Sequence, residues 1–229
     1  MRQKEISLNI LPTEGNPEDA GEDHLPTSYE TPLREDAFAI EDDEKIKRIE
    51  PHFREIMQIL GLDLNDDSLS GTPHRVAKMY VKEVFSGLNP KNRPKARLFE
   101  NKYKYDQMLV EKDITFYSHC EHHFVPIYGK VHVAYFSNGK VIGLSKINRI
   151  VQYYAKRPQV QERLTIQIVK EIMETLGTND VGVVIDATHL CVASRGVGDT
   201  NSRTGTAYFT GRFKKEKIKR EFLNYINSK

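Results

Sequence analysis

Apolar side chains first recur at helical spacing from Ile46, with Ile49, Phe53, Ile56, Met57 and Leu60 following. Pro51 marks a candidate true start of that run and Gly61 its stop. Thr72-Pro73 reads as an N-cap followed by proline at the first helical position, opening a helix through Val76, Met79, Tyr80 and Val84 to near Gly87. Residues 88–108, rich in Lys, Arg, Asn and Pro, read as loop. The period then falls to two. Ile114, Phe116 and Ser118 alternate with Thr115 and Tyr117 up to Cys120, and Val131, Val133 and Tyr135 alternate with His132 and Ala134. Ser137-Asn138-Gly139 reads as a hairpin turn into Val141-Ile142-Gly143-Leu144. Two helices follow, Ser145 to about Lys156 and Gln161 to Leu176, the second striped by Leu164, Ile168, Ile172 and Leu176 and capped by Gly177. Val181–Ala187 and Thr204–Phe213 read as strands, and a basic amphipathic helix spans about Glu216 to Ile226. This order predicts an α+β fold, an antiparallel sheet with helices on one face in a ββααββ core. A helical region with its connecting loop (44–110) precedes that domain (111–229).

Residues 1–43 hold Pro12, Pro17, Pro26 and Pro32 among acids and few large apolar groups, so they read as a disordered tail. The first 44 residues carry three basic against thirteen acidic side chains, a net of −10. With the whole chain at +2, residues 45–229 carry +12, a surplus that suits anionic partners as well as plain solubility. No apolar run is long enough to span a membrane, and the N-terminus lacks an apolar signal core. Two cysteines do not make a disulfide framework, so a cytoplasmic chain is expected.

The cysteines have telling neighbours. Cys120-Glu121-His122-His123 places a thiol and an imidazole three residues apart at a strand end, and His189-Leu190-Cys191 stands at the end of a later strand. Two adjacent antiparallel strands could bring these ends together. Cys120, His123 and Cys191 would then suit zinc, with a fourth position left for a water acidified to a pKa of about 7. A closed structural site using His122 or His189 as fourth ligand remains open, as do two plain core thiols. His122 and His189 could otherwise shuttle protons or orient a ligand.

Gly143-Leu144-Ser145-Lys146 leads from strand to helix, where backbone N–H groups, Ser145 and Lys146 could hold a phosphate; Arg149 follows one turn on, and Arg195 offers another guanidinium. Each could equally be a solvated surface charge. Glu162, after Gln161 at a helix start, could accept two N–H bonds from a guanine edge or serve only the helix dipole.

Together these segments resemble the GTP cyclohydrolase I family. The matching motifs are Ser118-His119-Cys120-Glu121-His122-His123, Gly143-Leu144-Ser145-Lys146, Pro158-Gln159-Val160-Gln161-Glu162-Arg163-Leu164-Thr165 and His189-Leu190-Cys191 followed by Arg195-Gly196-Val197; residues 72–87 match its helical region. The resemblance covers about residues 45–226. It implies the tunnelling fold, in a toroidal homodecamer with active sites at subunit interfaces. It also implies hydrolysis of GTP to 7,8-dihydroneopterin triphosphate and formate, the entry to tetrahydrofolate synthesis. By the same resemblance Cys120, His123 and Cys191 hold zinc, and His122 protonates the imidazole ring. His189 moves protons with Ser145, and Glu162 with Gln161 anchors guanine. Lys146, Arg149 and Arg195 meet the triphosphate, with Lys78 and Arg75 added from a neighbouring subunit. Arg203, Gly205 and Tyr208 stand where the family usually has small hydroxyl residues. Other readings are a tunnelling-fold enzyme acting on a pterin or deazapurine, which should lack the full Cys–His–Cys set together with the phosphate-binding Ser-Lys, and a structural zinc protein that binds nucleic acid. A zinc deaminase is disfavoured, since no His-x-Glu is paired with Pro-Cys-x-x-Cys.

Overall fold

A computed structural model describes residues 29–228. The tail expected over residues 1–43 lies outside them up to residue 28. Residues 29–41 form neither helix nor strand, yet they are tethered. Gln167 donates to the Tyr29 carbonyl at 3.2 Å, Lys170 sits 4.5 Å from the Tyr29 ring centre, and Arg157 reaches Thr31 at 3.5 Å. Most side chains of residues 29–41 are nonetheless exposed.

Helix α1 (Asp42–Ile59) runs through Pro51 instead of starting there. Asp42, Asp43 and Glu44 fill its first turn, where carboxylates offset the positive end of the helix dipole, and Pro51 is exposed. The short α2 (Asp67–Ser70) is capped by Asp66, and α3 (Thr72–Met79) follows. The backbone then widens into one π-helical turn, Tyr80–Val84. Gly87 follows in a tight spot where a Cβ would overlap the carbonyls of Tyr153 and Lys156. The expected loop at 88–108 holds a strand, β1 (Leu98–Glu100).

Strands β2 (Leu109–Cys120) and β3 (Pro126–Tyr135) pair antiparallel, with a bulge between Glu111 and Ile114. The turn after β3 does not fold β4 (Lys140–Ile142) back onto it; β4 pairs with β1 instead. Helix α4 (Leu144–Ala155) leads through β5 (Pro158–Gln159) to α5 (Gln161–Leu176), which Gly177 ends in the left-handed conformation at φ 63°. Strand β6 (Val181–His189) runs into the short α6 (Leu190–Ala193), and β7 (Thr204–Phe209) precedes α7 (Glu216–Asn227). The predicted last strand stops at Phe209; Gly211–Lys214 is a 3-10 turn.

The sheet order is β5-β2-β3-β6-β7, antiparallel except where β5 runs parallel to β2. Alternation divides each strand between two faces. Phe116, Val131, Val133, Tyr135, Val183 and Ile185 meet the apolar faces of α4 and α5 (Ile147, Ile150, Leu164, Ile168, Ile172) in the main core. This is the α+β arrangement expected from the element order. On the opposite face Ala134 and Val184 meet Phe213 and Phe222, so α7 covers one end of that face. Toward the other end the face is open, with the exposed rings of Tyr117 and Tyr128 stacked 5.9 Å apart.

Candidate functional site

Strands β2 and β6 are not neighbours, as the spacing argument supposed. Both pair with β3, so they run parallel to each other and end at one edge, where His119 lies opposite Pro126 and His189 opposite Ile127. Cys120 ends β2, and a tight loop carries His122 and His123. That loop is closed by Phe124 N–H donating to the Cys120 carbonyl (2.8 Å) and Cys120 N–H donating to Val125 (2.9 Å). Cys191 arrives on α6.

One ligand atom each from Cys120, His123 and Cys191 falls within 4.8 Å of the others. His123 Nδ1 is 3.9 Å from Cys120 Sγ. A zinc ion with about 2.0–2.3 Å bonds in tetrahedral array sets its donors roughly 3.5–3.8 Å apart, so the trio fits such an ion without rearrangement of the fold. Two thiols and an imidazole are also the soft and borderline donors that zinc favours. Both cysteines are free thiols. Burial, then the neighbouring Cys120, push the Cys191 thiol up from its usual range, so without a cation its thiolate is disfavoured.

The two further histidines flank this cluster. His122 Nδ1 lies 3.7 Å from Cys120 Sγ, and its Nε2 is 3.9 Å from the Glu121 carboxylate. His189 Nε2 meets Gln161 Oε1 at 2.7 Å. Burial lowers the His189 pKa against the opposing pull of Glu162, which keeps this ring neutral near pH 7. Gln161 is buried, and its amide donates to the Ile185 and Thr204 carbonyls and to Thr206. It thus pins His189 and the start of α5 to β6 and β7. Glu162, exposed in the first turn of α5, points its charge toward the same end. Arg195 Nη1 donates to His123 Nε2 at 2.9 Å.

The remaining candidates lie elsewhere in the chain. Asn148 of α4 reaches Glu111, and Gln152 donates to the Thr115 carbonyl, which fixes Ser145, Lys146 and Arg149 beside the first half of β2. Nine residue steps, a bulge among them, take β2 from Glu111 to Cys120, at most about 30 Å at 3.3 Å per residue. Ser145, Lys146 and Arg149 therefore do not join the cluster within one chain. Arg149 instead borders an open cavity of about 270 Å³ with Asn92 and Lys156. On α3, Arg75 donates to the Ser68 carbonyl and to Thr72, and Lys78 is exposed.

One ion pair escaped the sequence reading. Arg163, its side chain only 2% exposed, forms a two-pronged pair with Glu121, the residue after Cys120. A charged residue next to the apolar stripe of α5 was the available signal, yet in sequence it is indistinguishable from a solvated one.

Residues 49–227 match the model of the family described as GTP cyclohydrolase I. GTP cyclohydrolase 1 of Flavobacterium johnsoniae is 61% identical over 209 residues, covering 91% of this chain and 94% of that protein. The Aeromonas salmonicida protein of the same name is 56% identical, covering 85% and 88% respectively. The one from Citrobacter koseri is 54% identical, covering 86% and 89%. Matched over most of its length, with cysteines and histidines gathered at one sheet edge, the chain belongs to the GTP cyclohydrolase I family of hydrolases.

Proposed function

We propose that the chain converts GTP and water to 7,8-dihydroneopterin triphosphate and formate with zinc held by Cys120, His123 and Cys191. The observation that carries this reading is the convergence of those three donors within 4.8 Å, flanked by His122 and His189, in a chain of this family. Bound zinc supplies Lewis acidity, bringing water into reach of deprotonation near neutral pH.

The chain's own groups supply the rest. His122 hands a proton to the imidazole ring of guanine as water adds at C8. His189 is neutral and fixed by Gln161, so it can accept and return a proton when the ring and ribose open, with Ser145 as its partner. The Glu162 carboxylate accepts the guanine N1–H and 2-amino protons. With Nδ1 of His123 committed to a metal, Nε2 carries the ring proton. The Arg195 guanidinium is then left for a phosphate oxygen.

Lys146 and Arg149 stand too far from the cluster to share a nucleotide with it in one chain. We infer that a second copy presents its Ser145–Arg149 end to the first copy's cluster, with Arg75 and Lys78 also supplied across an interface. Closing such head-to-tail contacts produces a ring, in accord with a toroidal homodecamer. No helix among the described residues is long and apolar enough to cross a membrane. Two free thiols in a metal cluster suit the reducing cytoplasm, and the product would feed tetrahydrofolate synthesis.

The test is incubation with GTP, following formate and the fluorescent pterin formed on oxidation. Wild type should give both, and chelated protein and Cys191→Ser neither. Turnover in Cys191→Ser at unchanged zinc content would sink the ligand assignment.

A further inference from the structure

Phe124, the residue after the ligand His123, has φ 53°, a left-handed backbone that non-glycine residues adopt at a cost. The residue is 47% exposed, so burial alone does not account for that conformation. What holds it is a cup of aromatic side chains from the N-terminal helical region. Tyr80 and Phe85 stack with ring centres 5.3 Å apart and planes 8° from parallel. Both turn toward Phe124, at 6.3 and 5.0 Å. Phe53 backs Tyr80 at 5.3 Å, and Phe85 meets His119, the residue before Cys120, edge-on at 5.5 Å.

The cup depends on the π-helical turn. Phe85 N–H donates to the Tyr80 carbonyl at 3.0 Å, a bond five residues long. In a regular α-helix residues five apart diverge by about 140° around the axis. The wider turn lets them share a face, and such turns recur at functional sites.

We propose that Phe124 is a positioning residue: seated on Tyr80 and Phe85, it holds the Cys120–Val125 loop in the strained form that presents Cys120 and His123 to the metal. Strain of this kind persists only where surrounding groups over-determine it, and these rings grip the loop from both sides of the ligands. The inference rests on the metal reading above.

The experiment measures zinc affinity of the full chain by competition with a chromophoric chelator, alongside the thermal midpoint of the chelated protein. Phe124→Gly keeps the left-handed backbone available and deletes the ring. Its zinc affinity should fall about 10- to 100-fold, the usual effect of losing a group that orients ligands. Its metal-free midpoint should stay within a few degrees of wild type, since glycine relieves the backbone cost. Phe85→Leu, which leaves the loop itself untouched, should weaken zinc in the same range, and Phe124→Tyr should restore wild-type affinity. Tight zinc uptake by every variant would overturn this inference alone. So would losses of affinity that merely track losses of metal-free stability. Failure of the wild type to bind zinc would overturn the metal reading and this inference with it.

Discussion

If an active site takes its metal ligands from one copy and its phosphate-binding cations from another, two dead subunits should revive each other. Cys191→Ser removes a ligand and leaves the Ser145–Arg149 end intact. Lys146→Ala/Arg149→Ala removes the cations and leaves the cluster intact. Asn148, between the two cations, is held at Glu111, up to about 30 Å along β2 from Cys120 at the cluster. In rings assembled at random from equal amounts, half the clusters and half the cationic ends are intact. Wild-type junctions then make up about a quarter of the total in a head-to-tail ring. The assay is co-expression of the variants under different tags, isolation of rings carrying both, and measurement of pterin formation from GTP. Each parent alone should run below about 1% of wild type, since one lost catalytic contact already removes 10²- to 10³-fold. The mixed rings should approach 25%. Activity of the mixed rings no higher than the average of the parents would refute the shared site, because a site built within one chain cannot recover when every chain carries a defect.

Three further outcomes follow from particular contacts. Arg163→Met and Glu121→Gln should each cost about 3 kcal/mol, as expected when one partner of a largely buried pair is lost. In a chain this size that lowers the midpoint by about 6–12 °C, and the double variant should recover at least about 1.5 kcal/mol of the summed loss; additivity within about 0.5 kcal/mol would remove the coupling. Gly87→Ala should destabilise by about 2–4 kcal/mol, measured by urea unfolding at fixed protein concentration. Its Cβ drives apart the bonds from Gly87 N–H to the Lys156 carbonyl and from Arg157 to the Gly87 carbonyl. His132 is buried and accepts the Asp113 N–H. Burial lowers its pKa, with Asp113 and Asp186 opposing and Lys112 and Lys130 assisting. The unfolded chain therefore binds this proton first, and metal-free stability should fall as pH drops below about 6.5, by at most 1.4 kcal/mol per unit from this group. His132→Asn should flatten that decline between pH 7 and 5.

How far the sequence spoke depended on whether the deciding forces were local. Helix α5 begins at Gln161 and ends at Leu176 as read, because its apolar stripe and the glycine that caps it lie within the segment. Pro51 misled, since an exposed proline in a helix already begun by three acidic residues costs less than ending it. Strand β4 misled for a different reason. Its turn signal is genuine, with Gly139 at φ 78°, but the partner is a three-residue strand 40 positions upstream that carries too few residues to show a period. The convergence of Cys120, His123 and Cys191 was legible because each stands in a short cysteine–histidine motif at a predicted strand end. The internal bonds of Gln161 had no signal in the sequence: both ends of its amide are engaged within the chain, on His189 and on β6 and β7. Separation of Lys146 from Cys120 escaped the sequence because it depends on β4 pairing with β1: the expected hairpin would have returned the chain along β3 toward the Cys120 end.

The supports around the ligands explain why so small a cluster needs so much chain. Three donors on two strand ends and a loop are not fixed by the sheet alone, since His123 and Cys191 both lie beyond the last paired residues. Arg163 grips Glu121 from α5, while Tyr80 and Phe85 grip Phe124 from the helical region. Gln161 ties His189 to β6 and β7. Two of these supports spring from the start of α5 and the third from the helical region, and each holds a residue one or two positions from a proposed ligand. Precision of a metal site comes from such outer contacts as much as from the donors. Loss of Arg163 lowers stability as well, but releasing the Tyr80 and Phe85 grip on Phe124 should loosen metal binding before it unfolds the chain. That ordering separates these residues from the apolar core beneath α4 and α5, whose loss would lower metal affinity and stability together.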